Sequence, residues 1–346
     1  MKNLIHSFTL LVFLISTTFL TAQGTYNPNQ IIIDFAEGVT PAEIDEYLDL
    51  IDGTIIDQID DDIYLIEIAS FPIQYTDVNG QEVVFYNVVD IIENDVVNSE
   101  IDDTNLNYDI TSTPLDFEVL VESLPGETYT PIPDYVNDYP GLLSCNYFPQ
   151  NQIVKIGIID TGIDYDHTFI TNYVAFEANV INGELLPIDD NGHGTQIAGI
   201  IAALAESSGI SPDNLELYII KAFDSNGQGN LFDMQKAIRI ANELELDVLN
   251  LSWGFSYPVW IVEPLLNVIP INPVSILKEE FNSFPGIIVC GAGNDGNELL
   301  NYMHQGNHYG PADFELQDPR KLLTVAGLNS NSDIASFWNY NHEIVD

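Results

Sequence analysis

From residue 152 onward the chain carries short apolar runs without polar alternation: "QIVKIGIID", "LELYIIKAF", "LDVLNLSW", "GIIVCGAG" and "KLLTVAGL". Runs of this length with both faces hydrophobic are the pattern of strands covered on both sides. Amphipathic stretches such as "LFDMQKAIRIANEL" and "SILKEEFNSF" lie between several of them. Strands alternating with helices predict an α/β fold, a parallel sheet with helices on both faces. Functional sites in such sheets form beyond the carboxyl ends of the strands.

Residues 30–108 follow a different rhythm. "QIIIDF" reads as a strand, and "TPAEIDEYLDLI" opens a helix on Thr40, Pro41 and Glu43, a capping box with proline at the first helical position. "TIIDQI" and "DIYLIEI" read as strands, "NVVDIIENDV" as a helix and "VNSEIDD" as a last edge strand. The order βαββαβ predicts a small α+β, ferredoxin-like domain, bounded at 23–110. Pro114, Pro125, Pro131, Pro133, Pro140 and Pro149 then punctuate 111–150, read as a linker with one short strand at "FEVLVE". Ahead of both, Lys2 precedes an apolar stretch from Phe8 to Leu20 that ends in Thr21, Ala22 and Gln23. This is the pattern of a secretory signal peptide over 1–22, too short for a membrane span of about 20 residues. The expected location is therefore secreted, extracellular or periplasmic, with no membrane attachment after cleavage.

Charge narrows the partners. The 346 residues include 53 acidic and 8 basic side chains, a formal charge of −45, and no Lys or Arg lies between Lys2 and Lys155. Such a surface repels nucleic acid and anionic membranes. A hydrophobic content of 46% argues against global disorder. Export permits a Cys145–Cys290 disulfide, but Cys290 closes the apolar run "GIIVC" and reads as a buried thiol.

Three residues carry candidate chemistry at strand ends or the helix starts beyond them. Asp160 closes "VKIGIID", His193 opens "HGTQIAGIIAAL" between Gly192 and Gly194, and Asn294 follows "VCGAG". Singly, each has a plainer role: a turn aspartate, a structural histidine, a turn asparagine before Asp295-Gly296. Jointly they supply three parts of an acyl-transfer site: an Asp that orients the His, a His that takes a proton from a nucleophile, and an amide for the oxyanion.

These segments resemble the subtilisin-like serine proteases. "VKIGIIDTGID" is similar to their catalytic-Asp strand, "NGHGTQIAGIIAAL" to their catalytic-His helix, "LDVLNLSWG" to their substrate-binding strand and "VCGAGNDG" to their oxyanion loop. The resemblance covers roughly 153–346, within a peptidase domain bounded at 151–346. It implies peptide or protein substrates, with Asp160 and His193 as catalytic partners and Asn294 as oxyanion donor. It implies that Ser252 and Gly254 offer backbone to an extended substrate, with Gly227 and Gly229 on the opposite side. Residues 30–108 are similar to the family's propeptide, an intramolecular partner that assists folding and blocks the cleft.

Departures accompany the resemblance. Gln196 stands where a second, non-catalytic His is usual. "AESSGISPDN" is shorter than many relatives' calcium loop and lacks its Asn pair, which argues against calcium there; the acidic surface could hold structural calcium at another, unassigned site, and catalysis requires no cofactor. The family's nucleophile motif, G-T-S-x-A-x-P, is absent from the sequence after Asn294. The expectation is a serine endopeptidase whose nucleophile lies beyond residue 346, inactive as it stands. A non-catalytic binding protein on the same fold is the alternative. "GAGNDG" also fits a dinucleotide-binding fingerprint, but a polar, glycine-broken segment follows it instead of a helix. "HQGNH", His304 to His308, lacks the glutamate of a zinc helix and reads as a solvated loop. "DSNGQGN" lacks the closing Glu of a calcium loop, since Gln235 stands there.

Overall fold

The computed structural model describes residues 26–76, 80–95, 101–112, 152–181, 186–258, 260–262, 269–271, 274–296, 298–299, 307–327, 339–340 and 344–345. The expected signal peptide, most of the linker with "FEVLVE", Cys145 and His304 lie outside them.

The first unit runs β1 (Tyr26–Phe35), α1 (Pro41–Leu50), β2 (Gly53–Ile59), β3 (Ile63–Ile68), a hairpin of β4 (Ile73–Thr76) and β5 (Glu82–Phe85), α2 (Val88–Asp95) and β6 (Ile101–Ser112). The capping box forms: the Glu43 N–H donates to the Thr40 hydroxyl, and the Thr40 N–H donates to Glu43 Oε2 at 2.8 Å. Strands lie antiparallel in the order β6-β1-β3-β2. Ile31, Ile32 and Ile33 are all fully buried, so β1 is covered on both faces.

The second unit holds a parallel sheet ordered β17-β15-β11-β7-β9-β8. Its members are β7 (Val154–Asp160), β8 (Val174–Asn179), β9 (Leu215–Lys221), β11 (Val248–Leu251), β15 (Ile287–Gly291) and β17 (Leu322–Val325). Helices α3 (His193–Ser207), α4 (Leu231–Glu243) and α5 (Ser275–Ser283) connect them. Ile158 and Ile159 are both fully buried and belong to separate apolar clusters, as a sheet packed on two faces requires. Strands β10 (Gln228–Asn230), β12 (Trp253–Pro258) and β16 (Asn307–Gly310) stand outside this sheet, and β13 (Trp260–Val262) and β14 (Ile269–Ile271) form a separate hairpin.

The two units share β6. The expected edge strand at "VNSEIDD" is instead twelve residues long and lies in mid-sheet, in the order β16-β12-β6-β1-β3-β2, with β10 on its far end. Asn105 and Asn107 obscure its alternation, yet both are buried and bonded across the junction. Asn105 Oδ1 accepts the Ile276 N–H at 3.3 Å and its amide reaches Ser275 Oγ at 3.1 Å. Asn107 Oδ1 accepts the Phe232 N–H at 3.2 Å. One face of β6 thus meets the first turns of α4 and α5, whose N–H groups lack partners within the helix. Two of the eight basic residues also span the junction: Lys236 Nζ lies 2.7 Å from Asp57, and Arg239 pairs with Asp60 as well as Glu280.

Candidate active site

Asp160 ends β7, the strand inside the parallel sheet between β11 and β9. His193 is the first residue of α3. The flanking glycines have different reasons. Gly192 has φ +106°, a left-handed conformation that side chains disfavour, while a Cβ on Gly194 would strike the Gly162 backbone and lie 3.3 Å from Asp160 Cβ. The helix start can therefore settle directly on the turn that follows Asp160. His193 Nδ1 then sits 2.7 Å from Asp160 Oδ1, both side chains being buried. With Nδ1 protonated, that bond fixes the tautomer that leaves Nε2 as a base. Among the described residues His193 Nε2 is buried without a hydrogen-bond partner.

Residues that the sequence reading passed over hold this pair. Gly192 gives α3 no side-chain cap, and Asp189 takes that role. Its carboxylate accepts from the N–H groups of Gly192 at 2.7 Å and Thr195 at 2.9 Å, and from the Thr161 hydroxyl at 2.8 Å. Burial pushes its pKa up, but the Thr195 hydroxyl, these N–H groups and Thr161 outweigh that and hold it below the usual carboxylate range. Thr161 Oγ1 in turn accepts the Gly194 N–H at 2.9 Å. Lys221, buried at the end of β9, donates to the Thr161 carbonyl at 2.6 Å and to Asp190 at 2.7 Å.

Asn294 follows β15, two strands from β7 in the same parallel sheet, and so lies at the same carboxyl edge as Asp160. Its Oδ1 is buried without a partner among the described residues. Asn339 pins the loop on both sides of it. The Asn339 amide donates to the Ala292 carbonyl at 2.9 Å, its Oδ1 accepts the Asp295 N–H at 3.2 Å, and its N–H donates to the Gly293 carbonyl at 2.7 Å.

A groove runs to this edge between β10 and β12, and β6 lies in it antiparallel to both. Gly229 pairs with Ile110, Gln228 with Thr111, Gly254 with Thr111 and Trp253 with Ser112. Gly227 lies in the turn before β10, and Ser252 just before β12, where its hydroxyl accepts from the Asn250 amide at 2.9 Å. Ile110 is fully buried.

His308 is not on a solvated loop. It lies in β16, with Nδ1 2.8 Å from Asp313 and its ring stacked on Tyr257. Cys290 is buried, its Sγ 3.6 Å from Thr324 Oγ1. Among the described residues no group of three or more His, Cys, Asp or Glu side chains could hold a metal, and no helix is long and apolar enough to cross a membrane.

The family model for "Subtilase family" matches residues 151–346. Subtilisin DY of Bacillus licheniformis is 31% identical over 196 residues, covering 55% of this chain and 62% of that protein. The thermophilic serine proteinase of Bacillus sp. (strain AK1) is 29% identical, with 54% and 41% covered. The chain thus spans less than two thirds of the first relative's length and less than half of the second's. Among solved structures, the epidermin leader peptide processing serine protease of Staphylococcus aureus superposes with a TM-score of 0.63 at 17% identity, covering 94% of this chain and 75% of that one. Fervidolysin of Fervidobacterium pennivorans gives 0.56 at 17% identity, covering 91% and 46%. At these identities the structural likeness concerns the fold.

Proposed function

Since the chain belongs to the subtilase family, with its fold, we propose that it acts as a secreted serine endopeptidase in which Asp160 and His193 work with a serine nucleophile. The observation that carries this reading is the buried Asp160–His193 pair at 2.7 Å with Nε2 left unbonded among the described residues. In the reaction, Nε2 takes the serine proton as the hydroxyl attacks the peptide carbonyl, and later returns it to the leaving amine. Asp160 keeps the imidazole oriented and stabilises its charged form. Asn294 supplies an amide N–H to the oxyanion. No metal or cofactor enters these steps. Residues 1–22 act as the export signal.

The first unit acts as the propeptide. Support comes from β6, which occupies the groove as a substrate strand would: backbone pairs to Gly229 and Gly254, with Ile110 buried. Ser252 and Gly227 extend the two walls of the same groove.

The test is proteolysis by the protein expressed from its complete coding sequence. It should cleave casein, be stopped by phenylmethylsulfonyl fluoride, and lose activity when His193 is replaced by Ala. A complete protein that binds peptides but never cleaves them, with no serine reacting with the inhibitor, would leave a non-catalytic binding protein on this fold.

A further inference from the structure

The groove ends in a slot that a side chain already fills. Thr111 pairs with Gly254 and Ser112 with Trp253, so a peptide laid along β12 in this direction places its next residue opposite Ser252. That position lies at the carboxyl edge, between the start of β12 and the loop Ala292–Asn294. If Asn294 serves the carbonyl under attack, this residue is the one just before the scissile bond. Its side chain must enter the gap between the two backbone segments.

One ring touches both walls of that gap. A Cβ added at Gly254 would lie 2.5 Å from Tyr309 Cε1, 2.7 Å from its Oη and 2.8 Å from its Cζ. A Cβ added at Gly293 would lie 2.5 Å from Tyr309 Cζ and 2.7 Å from Cε1. The tyrosine ring therefore stands between β12 and the Asn294 loop, and both neighbours are glycines because nothing larger leaves it room. The ring is anchored through its backbone. Tyr309 pairs with Ser256 across β16 and β12, its N–H donates to Asp313 at 2.9 Å, and its carbonyl accepts the Asp313 N–H at 3.1 Å. The residue is 7% exposed.

We propose that Tyr309 is a specificity-determining residue: its ring fills the slot between Gly254 and Gly293 and limits the residue before the scissile bond to Gly, Ala or Ser. This rests on the endopeptidase reading above. A leucine or phenylalanine side chain would overlap the ring, and displacing the ring means moving a buried, backbone-anchored aromatic in a close-packed interior.

Mass spectrometry of peptides released from denatured casein tests this, using the protein from its complete coding sequence. The wild type should cleave after small residues, with kcat/KM about tenfold or more below that level for peptides bearing Leu or Phe there. Tyr309→Ala should reverse the order, gaining about tenfold on Phe peptides, and Tyr309→Phe should keep the small-residue preference. A wild type that favours Phe or Leu overturns the proposal, whether or not the variants fold. So does a folded, active Tyr309→Ala with an unchanged profile. Absence of cleavage by every form removes the endopeptidase reading and this one with it.

Discussion

An amide side chain such as that of Asn339, which donates to the Ala292 carbonyl and accepts from the Asp295 N–H, cannot be truncated without unpairing both. The two groups bracket Asn294, so under the mechanism we propose Asn339 is a positioning group that acts through that residue. Asn339→Ala should cost about 1–3 kcal/mol of stability, the penalty for buried groups left unpaired. In the complete enzyme it should also lower kcat while KM barely moves, because an oxyanion donor works mainly in the transition state. Steady-state kinetics beside thermal melts check both. A rise in KM at constant kcat would assign Asn339 to substrate binding instead. Asn294→Ala should lose more, about 10²–10³ in kcat, the loss that removing one oxyanion donor causes in a subtilisin. Asp160 and His193 were legible in the sequence because glycines and apolar runs set them apart. Asp189 was not, since one useful carboxylate is indistinguishable among 53 acidic residues. Tyr309 was equally hidden, because its effect exists only where two distant glycines meet its ring.

At the scale of elements, the parallel sheet and its helices could be read because strands buried on both faces leave an unbroken apolar signature. Strand β6 could be read only as a short edge at its start, since buried Asn105 and Asn107 look like surface residues until α4 and α5 are seen to need their oxygens. The β4–β5 hairpin escaped for a plainer reason: its four-residue strands are too short for their period to register. The asparagine contacts make a prediction. Asn107→Ala removes the acceptor of the Phe232 N–H in the first turn of α4 and should destabilise the intact chain by about 1 kcal/mol, as loss of a helix cap does. Denaturant melts of the intact chain check this, and a variant as stable as the wild type would show that the Phe232 N–H is served equally well without Asn107.

The molecule as a whole carries carboxylates where its two units meet. Asp34 is pushed up to about 7 by burial, then by the charges of Asp62, Asp102, Glu279 and Asp103. Asp103 is pushed up to about 6, chiefly by burial, against hydrogen bonds from Ser275, Thr104 and Asn105. A carboxyl whose folded value is raised prefers to be neutral. Its cost is absent below the ordinary carboxylate range, near pH 4, grows as the pH rises, and is complete above the raised value. The intact chain should therefore lose stability between about pH 4 and pH 7 from these groups. Asp34→Asn should raise the melting temperature at pH 8, change it least near pH 4, and flatten the curve between. A variant melting no higher than wild type at pH 8 would show that Asp34 ionises at no cost.

Strand β6 pairs with β1 of the first unit and with β10 and β12 of the second. Every contact it makes in the groove is between residues on either side of 113–151, so a cut within that stretch would break none of them. What a cut changes is effective concentration. While the chain is continuous, the groove faces its own strand at a local concentration on the order of millimolar, which a free peptide can hardly outcompete. After a cut the same contacts are diluted to whatever the surrounding solution holds, and occupancy becomes a matter of volume.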